Sequence, residues 1–253
     1  MGATVCTRCL ASVGPEQHRC PQCDARLGFV PELGMLCAFE DRGEAGWHPL
    51  GIGGLGVRLP CGNYGEHPIC HWTVPAEASD CFCESCRCVA RTPRLSGPAQ
   101  RQRWTRFGRA RRQLFIGLRR LGLLDGRGRL RGLPEPLFDV VDESPAAAGA
   151  PAVRGDARGP IIVDLSRIDA LGDRDLFEAL RRAIGLRLCL APTAIAHPSA
   201  DGRIDVDRAV AEWESRWARL DAERAREAPR EAPRARHGVP ASTWRDGGPR
   251  ALA

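Results

Sequence analysis

The apolar positions of this chain change their period from one segment to the next. Between Ala99 and Leu124, Trp104, Phe107, Leu114, Phe115, Leu118 and Leu121 recur at helical spacing, and Pro98 suits a first helical turn. The pattern predicts a long amphipathic helix ending near Gly126-Arg127-Gly128. Arg101, Arg103, Arg109, Arg112, Arg119 and Arg120 take its remaining positions. A core helix with a solvated arginine face is the first reading. Contact with nucleic acid or an acidic partner competes with it, because arginine engages phosphates in a fork, and so does membrane-surface binding. Asp173 to Leu186 predicts a second helix with Leu176, Phe177 and Leu180 inward. Asp205 to about Arg226 predicts a third, with Val206, Val210, Trp213, Trp217 and Leu220 on one face and Glu212–Arg216 as an i,i+4 pair. Pro160 to Leu165 reads as a buried strand of β-branched residues.

Before residue 95 the helical period disappears. Residues 31–95 are rich in Gly and Pro, with short strands expected at Val57–Leu59 and Trp72–Val74. The run Gly51-Ile52-Gly53-Gly54-Leu55-Gly56 lacks the Lys-Ser/Thr of a phosphate loop and reads as a plain loop. Residues 127–159 look like a linker, with Pro134, Pro136 and an Ala/Gly/Pro stretch from Pro145. Residues 228–253 are too poor in apolar side chains to fold and read as a disordered tail.

Twelve cysteines interrupt this pattern. Cys6-Thr7-Arg8-Cys9 and Cys20-Pro21-Gln22-Cys23 are two C-x2-C knuckles with ten residues between them. Two tight turns at that spacing present four thiolates to one tetrahedral zinc. Disulfides and a redox C-x-x-C are the competing readings, and His18 is a spare ligand that a complete thiolate shell does not need. A second set is Cys61, Cys70, Cys83 and Cys86, of which only Cys83-Glu84-Ser85-Cys86 has knuckle spacing. Here Cys81, Cys88, His67 and His71 compete as ligands. Cys37 and Cys189 stand alone and read as small buried hydrophobes. Structural zinc is therefore the expected cofactor, at one site or two. No residue emerges as catalytic or as binding another cofactor. Asp164, Asp169, Asp173 and Asp175 are explained more simply as caps and solvated positions than as an acid/base pair.

Composition changes this picture little. The net charge is +6, and all 37 basic residues are Arg, with no Lys. Alongside abundant Ala, Gly and Pro this points to GC-rich coding, which discounts arguments from arginine count. The first ten residues lack an apolar leader segment, and no stretch is long and apolar enough to span a membrane. Reduced, zinc-loaded and cytoplasmic is the simplest expectation.

Both knuckles resemble the start of a bacterial family that joins a zinc ribbon to a zinc-binding metallopeptidase domain. The resemblance continues through Leu27-Gly28-Phe29-Val30-Pro31, Pro60-Cys61-Gly62-Asn63-Tyr64, Cys70-His71-Trp72 and Cys83-Glu84-Ser85-Cys86-Arg87 to about residue 125. It is faint to about residue 170. It implies zinc at both cysteine sets and a peptidase region downstream. The helical H-E-x-x-H of such peptidases, two zinc ligands flanking a general base, does not occur. The histidines are His18, His48, His67, His71, His197 and His237, and no His-Glu dipeptide exists.

The resulting expectation is an α+β protein: a zinc ribbon at 1–30, a second Cys-rich region with a basic amphipathic helix at 31–126, and the linker at 127–159. A degenerate or truncated metallopeptidase-like region follows at 160–227, then the tail. The expected function is a non-catalytic zinc ribbon that binds a macromolecule, protein or nucleic acid. A divergent metallopeptidase-like enzyme and a nucleic-acid module using helix 99–124 are the alternatives.

Overall fold

The computed structural model describes residues 4–64, 69–142, 149–155, 159–190 and 205–227. The chain is mixed α and β, as the pattern implied. It opens on a small hairpin, β1 (Thr4–Val5) and β2 (Ser12–Val13). An antiparallel meander follows: β3 (Arg26–Val30), β4 (Met35–Asp41), β5 (Trp47–Leu50), β6 (Arg58–Pro60) and β7 (Thr73–Pro75). A bridge between Phe29 and Trp72 brings the end of the meander back beside β3. Phe29 N donates to His71 O (2.7 Å) and Thr73 Oγ1 to Phe29 O (3.1 Å). The strands thus curl back on themselves, and Gly28 is needed inside the curl, where a Cβ would run into Thr73, Phe39 and Trp47. The expected boundary at residue 30 falls inside this sheet, because β3 pairs with β4 along its whole length.

The helical layer begins with the short α1 (Glu84–Arg87) and the long α2 (Pro98–Arg120). Pro98 sits in the first turn, where it has no hydrogen bond to lose, and Gly97 N donates back to Gln100 Oε1 (3.0 Å). The helix stops before Gly126: Gly122 has φ 70°, and the bonds Gly122 N to Arg119 O and Leu123 N to Leu118 O close a Schellman turn. Next come β8 (Phe138–Val141), β9 (Val153–Arg154) and β10 (Ile161–Asp164), which form one sheet in the order β8-β10-β9. The stretch 127–159, read from its Pro and Gly content as a linker, therefore carries two strands. β10 pairs with β8 in parallel and with β9 antiparallel. Helices α3 (Asp173–Leu190) and α4 (Val206–Glu227) complete the fold. The 228–253 segment, His67, His197 and His237 lie outside the described residues.

One continuous apolar core runs from Cys6 and Leu27 through Trp72, Trp104 and Phe138 to Trp213 and Leu220. A small satellite of Val30, Cys37, Phe39, Trp47 and Tyr64 fills the meander. Cys37 and Cys189 are buried there and in the main core. α2 packs against α1, α3 and α4. Of the arginines expected on its solvated face only Arg112 is buried; most of the others stay partly exposed but are drawn into ion pairs. Arg103 and Arg106 pair with Asp169 and Asp173, Arg109 and Arg112 with Glu16, Arg119 with Glu84, and Arg120 with Glu227. Val210, expected inward, is exposed, and Ala209 takes its place in the core. No helix among the described residues is long and apolar enough to cross a membrane.

Candidate metal centres

The two N-terminal knuckles fold as copies of one turn. In the first, Leu10 N donates to Cys6 O (2.8 Å) and Cys6 N to Ala11 O (2.8 Å). In the second, Asp24 N donates to Cys20 O (2.9 Å) and Cys20 N to Ala25 O (3.0 Å). The residue after each knuckle takes the left-handed conformation needed to double the chain back, with φ 63° at Leu10 and 55° at Asp24. Asp tolerates this conformation well, and Arg19 Nη1 braces it at Asp24 Oδ2 (2.8 Å). The first knuckle is keyed to the meander by Thr7, whose hydroxyl donates to Leu50 O (2.7 Å) and accepts from Ala38 N (2.8 Å). Gly51 lets Thr7 O approach closely, because any Cβ there would overlap it.

Between them the knuckles bring Cys6, Cys9, Cys20 and Cys23 together, with all four sulfurs within 4.8 Å of one another. Cys6 Sγ is 3.7 Å from Cys23 Sγ, and Cys9 Sγ is 3.6 Å from Cys20 Sγ. Four sulfurs at about 2.3 Å from a zinc ion stand about 3.8 Å apart along the edges of a tetrahedron. A disulfide needs about 2.05 Å, and all twelve cysteines are free. The donor set and its dimensions fit zinc.

The second set, Cys61, Cys70, Cys83 and Cys86, is also within 4.8 Å throughout, and all four residues are buried. Cys61 leaves the end of β6, Cys70 precedes β7, and α1 begins inside the Cys83–Cys86 knuckle. Cys61 N donates to Trp72 O (3.0 Å), which fixes the two wide-spaced cysteines side by side. The Cys70–Cys83 sulfur distance is 3.7 Å. Two backbone amides point at the sulfurs, Trp72 N at Cys70 (3.4 Å) and Cys83 N at Cys61 (3.3 Å). Burial pushes the Cys70 and Cys83 thiols well above their ordinary pKa. Hydrogen bonds from Cys61, Cys70 and Cys83, with the nearby Arg111 charge, hold Cys86 well below its own. Four thiols in so dry a place do not ionise together without a cation, which zinc supplies.

The competing ligands go elsewhere. Cys88 Sγ donates to Ser85 O (2.8 Å), and burial pushes its thiol up to about 12. Cys81 is exposed and belongs to neither set. His71 is buried edge-on between His18 and Phe29, and burial pulls its pKa down to about 3. His18 lies between the two sets and donates through Nε2 to Cys70 O (3.4 Å). Sequence reasoning passed over Arg111, which is fully buried on α2 and reaches Ser85 Oγ through Nε (3.1 Å) and Cys86 Sγ through Nη2 (3.4 Å). It stands seven residues after Trp104 and four after Phe107, inside the apolar stripe, and that position is the signal that could have found it.

Comparison with known families adds one match at this point. Residues 3–97 match a zinc-ribbon domain family. The match supports an N-terminal zinc ribbon and spans both cysteine sets. Both four-cysteine sites are consistent with structural zinc. The zinc-ribbon match ends before α2. No curated protein and no solved structure matches the chain.

Proposed function

We propose that this protein is a zinc-ribbon protein with two structural zinc centres, ligated by Cys6, Cys9, Cys20 and Cys23 and by Cys61, Cys70, Cys83 and Cys86, and that it acts by binding a macromolecule. The observation that carries the reading is the closed donor set. Each group offers four sulfurs at tetrahedral spacing, and a tetrathiolate zinc has no open position for water or substrate. When bound, the ions supply cross-links. The protein's own residues do the rest. Thr7 seats the first knuckle on β4 and β5, backbone amides support the second set, and Glu84 under Arg119 ties α1 to α2.

The test is zinc per chain on protein purified without added metal. Two zincs are expected, with one lost in Cys9→Ser and the other in Cys86→Ser. Fewer than two would remove one centre from the reading. Zinc-dependent peptide hydrolysis that a mutation in this chain abolishes would replace the binding role with an enzymatic one.

A further inference from the structure

Arg111 stands apart among the arginines of α2 because it is fully buried and meets no carboxylate, whereas Arg101, which reaches only Leu95 O, is partly exposed. Arg103, Arg106, Arg109, Arg112, Arg119 and Arg120 each meet a carboxylate, whereas Arg111 meets none among the described residues. It has no exposed surface, and its Nη1 has no hydrogen-bond partner among the described residues. Its guanidinium carbon lies 5.0 Å from the centre of the Phe107 ring and 5.7 Å from that of Trp104. A guanidinium keeps its charge in proteins, and an isolated buried charge is strongly unfavourable. Aromatic faces offset only part of that. The remaining source of negative charge at hand is the second sulfur set, which Arg111 touches at Cys86.

A divalent ion with four thiolates carries a net charge of minus two. At the first centre Cys9 and Cys23 are only partly buried, so water and salt can screen that charge. The second centre is closed to water and has Arg111 instead. We propose that Arg111 is the resident counter-cation of the second centre: a positioning residue outside the ligand set whose charge raises that centre's metal affinity. Helix α2 thereby takes part in holding a metal none of whose ligands it carries. This inference rests on the two-zinc reading above.

The experiment is chelator competition for zinc on the full chain, comparing the unaltered protein with Arg111→Met and Arg111→Lys, and using Cys9→Ser to mark which step belongs to the second centre. If the unaltered chain binds no zinc at the second centre, the two-zinc reading has failed rather than this inference. If it binds two, Arg111→Met should weaken the second centre about 10- to 100-fold, the range for residues that support metal ligands. The first centre should be unchanged, and Arg111→Lys should recover most of the loss by restoring the charge. Unchanged affinity in Arg111→Met, equal weakening of both centres, or a lysine variant as weak as the methionine one overturns the proposal. Should Arg111→Met fail to fold, Arg111→Gln keeps a donor for Ser85 without the charge and is held to the same criteria.

Discussion

At Leu10 and Asp24 the chain doubles back with φ 63° and 55°. Leu10 is 73% exposed, so its side chain contributes little packing and its backbone conformation is the dominant constraint. A β-branched residue in the left-handed region is a true outlier. Leu10→Val should therefore lower stability by about 1 kcal/mol, while Leu10→Gly should cost nothing measurable; denaturant unfolding of the zinc-loaded protein separates the two. Glu16 makes a second single-residue prediction. Burial works against its charge, but the Arg109 hydrogen bond and the charges of Arg112 and Arg109 prevail and hold its carboxyl below the ordinary 4.5. A depressed folded-state pKa means stability that is fully present above the unfolded value and lost as the pH falls through the folded one. The stability gap between the unaltered protein and Glu16→Gln should thus be constant above about pH 4.5 and close below it. A gap that does not move with pH rules this linkage out.

Among the elements, α4 is held by two indoles set against glycines. A Cβ on Gly117 of α2 would overlap the Trp217 ring, and one on Gly185 of α3 would overlap Trp213. Trp213 and Trp217 also meet edge to face, with ring centres 5.6 Å apart. Gly117→Ala should cost about 1–3 kcal/mol by overpacking, and adding Trp217→Phe should recover part of it, as a thermal double-mutant cycle would show. Helical elements of this kind were legible because Trp104, Phe107, Trp213 and Trp217 carry a local period. The strands β8 and β9 were not. β8 gains its pairing in parallel from a strand over twenty residues away, and β9 has two residues, so neither leaves a pattern within its own segment. The burial of Arg111 and Arg112 was hidden for a related reason, while Arg103, Arg109 and Arg120 keep exposed surface as expected. Sequence treats arginine as surface, and only the packing of α2 between ribbon and helices reveals that Arg111 and Arg112 are buried.

Across the whole molecule the two cysteine sets differ in how far their influence reaches. Their grouping was legible because ligand spacing is local chemistry: each knuckle places two sulfurs within one turn. The wide pair Cys61 and Cys70 could be matched to Cys83 and Cys86, yet the fates of Cys81, Cys88 and His71 depended on burial that no spacing encodes. Both sets border the main core, but at the second a side chain of α2, Arg111, reaches a ligand sulfur, that of Cys86. Cys86→Ser should accordingly speed amide exchange along residues 108–120 more than Cys9→Ser does. Equal effects would mean that the ribbon and the helical layer unfold independently.

The pair formed by Glu16 with Arg109 and Arg112 joins residues 93 and 96 positions apart. Each sulfur set, by contrast, closes within one short stretch of chain. Loop closure over so long a separation is slow, and contacts local in sequence form early. On a growing chain, then, the knuckles can take up their ions before α2 exists. Helix docking is expected to come later, laid onto a ribbon that the knuckles have already drawn together.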